Sequence, residues 1–284
     1  MPNFTLATCK EFPCPDIDQP LRDALSARGH MVNSAPWDGP QDAFHAADVV
    51  VIRACWDYSE NAEGFGRWID QLEQASVHVL NPPDLIRWNM DKRYLLELQA
   101  AGIPVPKTVL VDTQHKDRIS AEIETHGWEE AVAKPLIGQS GRGVIRLHRD
   151  QSDNWPVWDG AESHLILQEF CSNISNLGET IMIFFDGQFS HSVLRVIAPG
   201  EWRSNFRFGA RRVRCEVSPG IIEQAAEVLS VLDDPPLYAR VDGLVDGNKL
   251  TVMELELIEP DLGFAEVPSA AEEFVKRIEN QIRS

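Results

Sequence analysis

Residues 131–147 read Ala131-Val132-Ala133-Lys134-Pro135-Leu136-Ile137-Gly138-Gln139-Ser140-Gly141-Arg142-Gly143-Val144-Ile145-Arg146-Leu147. A lysine ends one apolar run, a glycine-rich loop follows, and a second apolar run begins. Gly138, Gly141 and Gly143, with Ser140 among them, allow backbone N–H groups to come close to a phosphate. A flexible hairpin tip has the same spelling. Two other phosphate-binding patterns do not fit. The strand–loop–helix phosphate loop ends Gly-Lys-Ser/Thr, and this one ends Arg142-Gly143-Val144. The dinucleotide fingerprint opens a helix, whereas Val144 to Leu147 continues as a strand. A glycine loop joining two antiparallel strands is a flap, which closes over phosphates from above. Lys134, and Lys92 in Asn89-Met90-Asp91-Lys92, are each compatible with plain surface charge. Together with a flap they form a pair of cations suited to a triphosphate.

Upstream of the flap, the first 88 residues alternate strand and helix. Phe4 to Thr8, Asp48 to Ile52 and Val77 to Leu80 read as strands, with helices over Pro20 to Gly29 and Ala62 to Gln74. This alternation predicts a parallel sheet covered by helices, with ligands beyond the carboxyl ends of its strands. Arg53, Asp57 and Tyr58 follow the most apolar run and are expected at that rim, as selectivity residues. After Pro83 the texture changes. A helix is expected from about Asp91 to Ala101, then strands over 108–111, 131–135, 144–147 and 164–170. Hairpins are expected at Phe184 to Phe189 and at Tyr238 to Ile258, and a last helix from Ala270 to Ile282. The expectation is an α/β (α+β) chain: an N-terminal domain over 1–88, and a second domain over 89–284 divided into a flap-bearing part, 89–170, and a later part, 171–284.

The late hairpin carries Arg240-Val241-Asp242 on one arm and Glu254-Leu255-Glu256 on the other. Residues two apart on a strand share a face, and apolar residues surround these charges. Three acids on a buried face need a metal or cations. Oxygen ligands without Cys or His suit magnesium or manganese shared with phosphates. The same alternation also describes a solvent-facing amphipathic hairpin.

The chain has 284 residues, 43% hydrophobic and 25% charged, with 26 Lys and Arg against 44 Asp and Glu and a net charge of −18. That surplus argues against nucleic acid or an anionic membrane as a partner, while leaving room for one anion in a local basic cleft. The five cysteines form no CxxC pair. Met1-Pro2-Asn3-Phe4 carries no basic segment followed by an apolar run, so a cytoplasmic location is expected.

Asn89-x-x-Lys92, Gly102-Ile103-Pro104-Val105-Pro106, Lys134-Pro135 with its flap, Gln168-Glu169-Phe170-Cys171, Arg240-x-Asp242 and Glu254-x-Glu256 occur in the order found in the ATP-grasp superfamily. The resemblance covers roughly 80–260 and is nearest to the bacterial glutathione synthetase-like branch, which includes cycloserine synthetase. It implies an ATP-grasp fold behind an N-terminal parallel-sheet domain. It also implies an ATP-dependent carboxylate–amine ligase acting through an acyl phosphate on amino-acid-like carboxylates and amines, and a homo-oligomer. Carried over by position, Lys92 and Lys134 would hold phosphates beneath Gly138, Ser140, Gly141 and Gly143. Gln168 would face the adenine edge, the backbone of Glu169 and Cys171 would bond it, Phe170 would belong to the same ATP-binding stretch, and Glu179 would bind the ribose. Asp242, Glu254 and Glu256 would ligate two magnesium ions, or manganese, and Arg240 would steady the transferring phosphoryl group. Arg203 and Asn205, in Glu201-Trp202-Arg203-Ser204-Asn205, would grip a substrate carboxylate within a basic stretch that includes Arg207, Arg211, Arg212 and Arg214. Relatives with Asn where this chain has Glu256 carry one negative charge fewer there. Two other readings remain: an ATP-grasp kinase, and a non-catalytic ATP-binding protein.

Overall fold

The computed structural model describes residues 1–113, 116–156 and 163–283. Its first sheet contains β1 (Asn3–Thr8), β2 (Met31–Pro36), β3 (Val49–Ala54) and β4 (His78–Leu80), all parallel, in the order β2-β1-β3-β4. Every residue of β3 is buried, because helices cover both of its faces. On one face α1 (Gln19–Ala27) sets Leu21 and Leu25 against Phe4, Val49 and Val51. On the other, after the single turn of α2 (Asp42–His45), α3 (Ala62–Gln74) sets Phe65, Ile69 and Leu72 against Val50 and Ile52. Edge strand β2 escapes the sequence reading because Met31-Val32-Asn33-Ser34-Ala35-Pro36 buries only Ala35 fully and so has no apolar run.

A further helix, α4 (Pro83–Met90), precedes α5 (Tyr94–Ala100), which lies within the one expected from about Asp91 to Ala101. Asp91 is extended, with φ −102 and ψ 118, and ends α4. Lys92 therefore sits in a link between helices rather than opening one, and its N–H donates to the Leu136 carbonyl at 2.8 Å. The second sheet is antiparallel, with β5 (Thr108–Asp112), β6 (Glu130–Pro135), β7 (Ile145–His148) and β8 (His164–Glu169) in the order β5-β8-β6-β7, covered by α6 (Lys116–His126). The glycine loop joins β6 to β7 as an antiparallel hairpin.

After the short α7 (Ile174–Leu177), the third sheet comprises β9 (Glu179–Phe185), β10 (Gln188–Val196), β11 (Arg211–Cys215), β12 (Tyr238–Asp246) and β13 (Lys249–Glu256), in the order β11-β10-β9-β12-β13. Asp186 and Gly187 turn the β9–β10 hairpin with φ 53 and 68, as its sequence anticipates. One face of this sheet packs on α5 and on α8 (Pro219–Leu229), which lies between β11 and β12. The other face puts Ile181, Ile183, Phe185 and Tyr238 against Phe274, Val275 and Ile278 of the last helix, α9 (Ser269–Gln281). The same core takes in Phe4, Leu6 and Leu25, so the end of the chain helps to cover the first sheet. A boundary drawn at residue 88 falls inside α4. Among the described residues, no helix is long and apolar enough to cross a membrane.

Asn81 stitches the first and third sheets together from a left-handed position, φ 61. Its Nδ2 donates to the carbonyls of Tyr238 and Leu257, each at 2.8 Å, and its Oδ1 accepts from Leu237 N at 2.9 Å. Asn81→Leu leaves these buried backbone groups unsatisfied and is expected to cost about 3 kcal/mol. Urea unfolding checks this: the midpoint falls while the slope stays unchanged.

Candidate active site

Pairing of β12 with β13 sets Arg240 opposite Glu256 and Asp242 opposite Glu254, so the four residues expected to share a face do so. β9 lies on the other side of β12, with Ile183 opposite Arg240 and Ile181 opposite Asp242. The face is therefore apolar towards Phe185 and Tyr238 and charged towards its other end. A bulge follows Asp242, and Gly243 accommodates it, since a Cβ there would lie 2.8 Å from the Thr251 carbonyl oxygen.

The charges interlock. Arg240 donates from Nε and Nη2 to the two oxygens of Asp242, each at 2.8 Å, and also pairs with Glu256. Arg195 on β10 donates from Nη1 to Glu179 at 2.9 Å and to Asp242 at 3.1 Å. Lys92 Nζ reaches Glu254 at 3.1 Å and the Gly138 carbonyl at 2.7 Å. Lys134 Nζ donates to Gln168 Oε1 at 2.7 Å, and Gln168 Nε2 donates onward to Thr108 Oγ1 at 2.9 Å. Asp242 is 0% exposed. Burial works against ionisation of Glu254, but Lys92 and Lys134 outweigh it and hold its pKa at about 2. Burial pushes Glu256 far above the usual carboxylate range, and Asp242 and Glu254 add to this against the pull of Arg240. Burial lowers Lys134, with Glu254 opposing.

Among the described residues no His, Cys, Asp or Glu side chains are gathered in a ready-made ligand geometry. The oxygens of Asp242, Glu254 and Glu256 are held by Arg240, Arg195 and Lys92 instead. The donor set nevertheless fits a hard divalent cation. It is carboxylate oxygen on one sheet face, and Glu256 is destabilised as an anion by burial and by its acidic neighbours.

Lys92, Arg195 and Glu254 lie where two chambers meet, whereas Asp242, expected as a metal ligand, is buried behind Arg195 and Arg240 and lines neither. The smaller is lined by Lys134, Gln168, Glu169, Phe170, Cys171 and Glu179 beneath the flap. The larger, about 490 Å³, lies between the flap and the first sheet and is lined in part by Phe12, Trp56, Tyr58, Arg207, Arg240 and Glu259. Lys92, Gly138, Ser140, Arg142, Arg195, Asn205 and Glu254 line both, and Gly141 lines the smaller; Gly143 lines neither. The flap is shut. Gln139 accepts from Ser59 N at 3.0 Å and donates to Cys55 O and Glu259 Oε1, each at 3.2 Å, while Arg142 pairs with Glu60. Gly141 has φ 69, and a Cβ there would lie 2.6 Å from Asn205 Oδ1, so glycine is required where flap and 201–208 loop touch.

Several expectations need correction. Arg53 does not face the cleft. It is 1% exposed, donates to Asp18 Oδ1 at 3.0 Å and to the Pro260 carbonyl at 2.9 Å, and lines neither chamber. Asp57 also lines neither and accepts from Trp37 Nε1 at 2.7 Å, whereas Tyr58 does line the larger chamber. Arg203 lines only the smaller chamber, held by both oxygens of Glu201 and lying 3.5 Å from the centre of the Phe208 ring. Of the basic stretch beyond it, Arg207 lines the larger chamber while Arg212 pairs with Asp261 and Glu266. Gln168 is turned to Lys134, and the Glu169 N–H is spent on the Lys107 carbonyl at 2.9 Å. The sequence reading missed Gln139, Arg195 and Glu259. Glu259 was signalled by its place three residues after Glu256, and Arg195 only by pairings across the sheet.

Comparison with known proteins agrees with this geometry. Residues 4–81 match the model of the D-cycloserine synthetase DcsG N-terminal domain. Residues 94–261, more than half of the chain, match that of the prokaryotic glutathione synthetase ATP-grasp domain. The cycloserine biosynthesis protein DcsG of Streptomyces lavendulae is 28% identical over 290 residues, spanning 94% of this chain and 95% of that protein. The crystal structure of D-cycloserine synthetase DcsG superposes with a TM-score of 0.87 at 24% identity, covering 98% of this chain and 99% of that one. D-alanine–D-alanine ligase from Bacillus anthracis gives a TM-score of 0.70 at 16% identity, covering 100% of this chain and 98% of that one. With a shut glycine flap, paired lysines and a carboxylate-bearing hairpin on a common centre, the chain belongs to the ATP-grasp ligase family, with a catalytic domain of the prokaryotic glutathione synthetase type.

Proposed function

We propose that this ATP-grasp ligase converts an amino-acid carboxylate into an acyl phosphate with ATP and captures it with an amine. The observation that carries this reading is the junction of the two chambers. Lys92, Arg195 and Glu254 line both spaces beneath a shut flap, so a triphosphate at the junction points its base into one chamber and its terminal phosphate into the other. The names of the similar proteins, a cycloserine synthetase and a D-alanine–D-alanine ligase, favour an amino-acid-like substrate. Residues 1–88 would supply one wall of the substrate chamber and 89–284 the nucleotide side.

Lys92 and Lys134 would hold the phosphates, and Gln168 serves them by fixing the direction of Lys134 rather than by reading the base. Phe170, Cys171 and the Glu169 carbonyl would face the adenine, and Glu179 the ribose. Members of the family use ATP with divalent metal ions; two magnesium ions are proposed here, with manganese as a substitute. Bound at Asp242, Glu254 and Glu256, such ions would neutralise the charge of the triphosphate. Arg240, already aimed at that centre, would steady the phosphoryl group in transfer. In the larger chamber Arg207, with Asn205, replaces Arg203 as the group able to grip a carboxylate, Arg142 being paired with Glu60. Gln139 and Arg142 hold the flap down and so exclude water from the acyl phosphate.

Phosphate release from ATP and magnesium with the common amino acids, singly and in pairs, tests the reading when hydroxylamine is added as a trap. Wild type should give ADP, phosphate and a hydroxamate, and Asp242→Asn should lower the rate at least about 100-fold. ADP with a phosphoester would identify a kinase, and ATP binding without ADP a non-catalytic binder; either result overturns the proposal. Removal of divalent ions with EDTA should abolish hydroxamate formation, and added magnesium should restore it. Gln168→Leu takes the acceptor from Lys134 and should weaken ATP binding by about 10-fold in calorimetry, with the unfolding midpoint showing that the variant is folded.

A further inference from the structure

The mechanism above leaves one requirement open. An amine reaches the enzyme largely as an ammonium ion, which has no lone pair to attack with. The larger chamber contains a group placed to receive its proton. Four acids line the deep part of that chamber. Glu254, Glu256 and Asp261 are paired with Lys92, Arg240 and Arg212. Glu259, 9% exposed, has no cationic partner among the described residues, and among them the one hydrogen bond its carboxylate accepts from another side chain comes from the amide of Gln139 on the flap, at 3.2 Å. Its backbone is clamped on both sides. Tyr238 donates its hydroxyl to the Ile258 carbonyl at 2.9 Å, and the buried Arg53 donates to the Pro260 carbonyl at 2.9 Å. Arg53 thus acts as an anchor for the segment that carries Glu259. The rings of Trp56 and Tyr58 line the same chamber and suit a cationic ammonium head.

We propose that Glu259 is the catalytic residue that accepts the proton of the incoming ammonium, an inference that rests on the ligase reading. The ammonium gives one proton to the Glu259 carboxylate. The freed lone pair forms the C–N bond, the bond from carbon to the phosphate oxygen breaks, and phosphate leaves with that electron pair and the second N–H proton. Glu259 then returns its proton to solvent. The electrostatic setting agrees with this use. Burial raises Glu259 to about 7 and Glu254 adds to the rise, while Arg240 on β12 and Lys92 on the α4–α5 link oppose it. Glu256 on β13, Cys55 and Tyr58 beyond β3, and Tyr238 on β12 all feel its charge. A base with that value is about half ionised at neutral pH and strong enough to take a proton. Because Gln139 reaches Glu259 from the flap, closure also favours the ionised form.

Hydroxylamine separates the two halves of the reaction, because it is uncharged at neutral pH and needs no proton removed before it attacks. With the amino acids that wild type joins in the screen above, Glu259→Gln should still form hydroxamate at pH 7. It should lose amide formation about 100-fold, and amide formation should climb about tenfold per pH unit towards pH 9. Wild-type amide formation should instead level off above pH 7. Equal losses of hydroxamate and amide in a folded Glu259→Gln, or amide formation that is unreduced, overturn the inference while leaving the ligase reading intact. If Glu259→Gln does not fold, Glu259→Asp decides, since its amide-to-hydroxamate ratio at pH 7 must fall below that of wild type. Wild type that makes neither product from any amino acid removes the ligase reading and this inference with it.

Discussion

Asp242 lies fully buried at the bottom of the site, where Arg240 grips both its oxygens and Arg195 reaches one of them. An isolated carboxylate there would cost several kcal/mol. Everything around it follows from that requirement. Arg195 also binds Glu179, Arg240 also binds Glu256, and the third sheet must hold β10, β9, β12 and β13 in one register for these side chains to meet. Removing either arginine leaves a buried anion uncompensated, whereas the whole lattice, once assembled, is a rigid frame of opposite charges. A polyanionic ligand with its metal ions can exchange partners with such a frame without any large movement of the backbone.

The sheet solves a second problem with the same face. At the Phe185 and Tyr238 end the residues are apolar and covered by α9; at the other end they are charged, with Glu179 and Arg240 lining the chambers and Asp242 buried between them. Both hairpin arms keep a period of two, so one strand serves the core and the site in succession. Tyr238 and Arg240 are neighbours on one face, and the first is sealed into the core two residues before the second enters the cleft.

Much of this was legible in the sequence because the deciding patterns are local. The flap is bounded by two apolar runs, the turn residues of the hairpins are adjacent in the chain, and period two puts Arg240 with Asp242, and Glu254 with Glu256, on one face of each arm whatever surrounds them. What was missed depends on partners far away. Arg53 looks like a cleft residue at a strand end, and only Asp18 and the Pro260 carbonyl, 207 positions later, turn it into an anchor. The side chain of Gln168 could read a base or hold a lysine, and the choice is made by Thr108 and Lys134 on neighbouring strands. The helix expected from Asp91 starts later because Lys92 is drawn across to the flap hairpin, a contact with no local signature. Glu259 was within reach, since it follows Glu256 by only three residues, but nothing in the sequence says that it lacks a cation.

The position of α9 has a further consequence. Phe4, Leu6, Val49 and Val51 are translated early, yet the helix that completes their cover with Phe274 and Ile278 is translated more than two hundred residues later. While the ribosome is still at work, α1 alone covers that side of the nascent first sheet, and part of it stays oily and open. Sequence separations of this size make for slow closure of the native contacts and an extended interval of vulnerability to self-association.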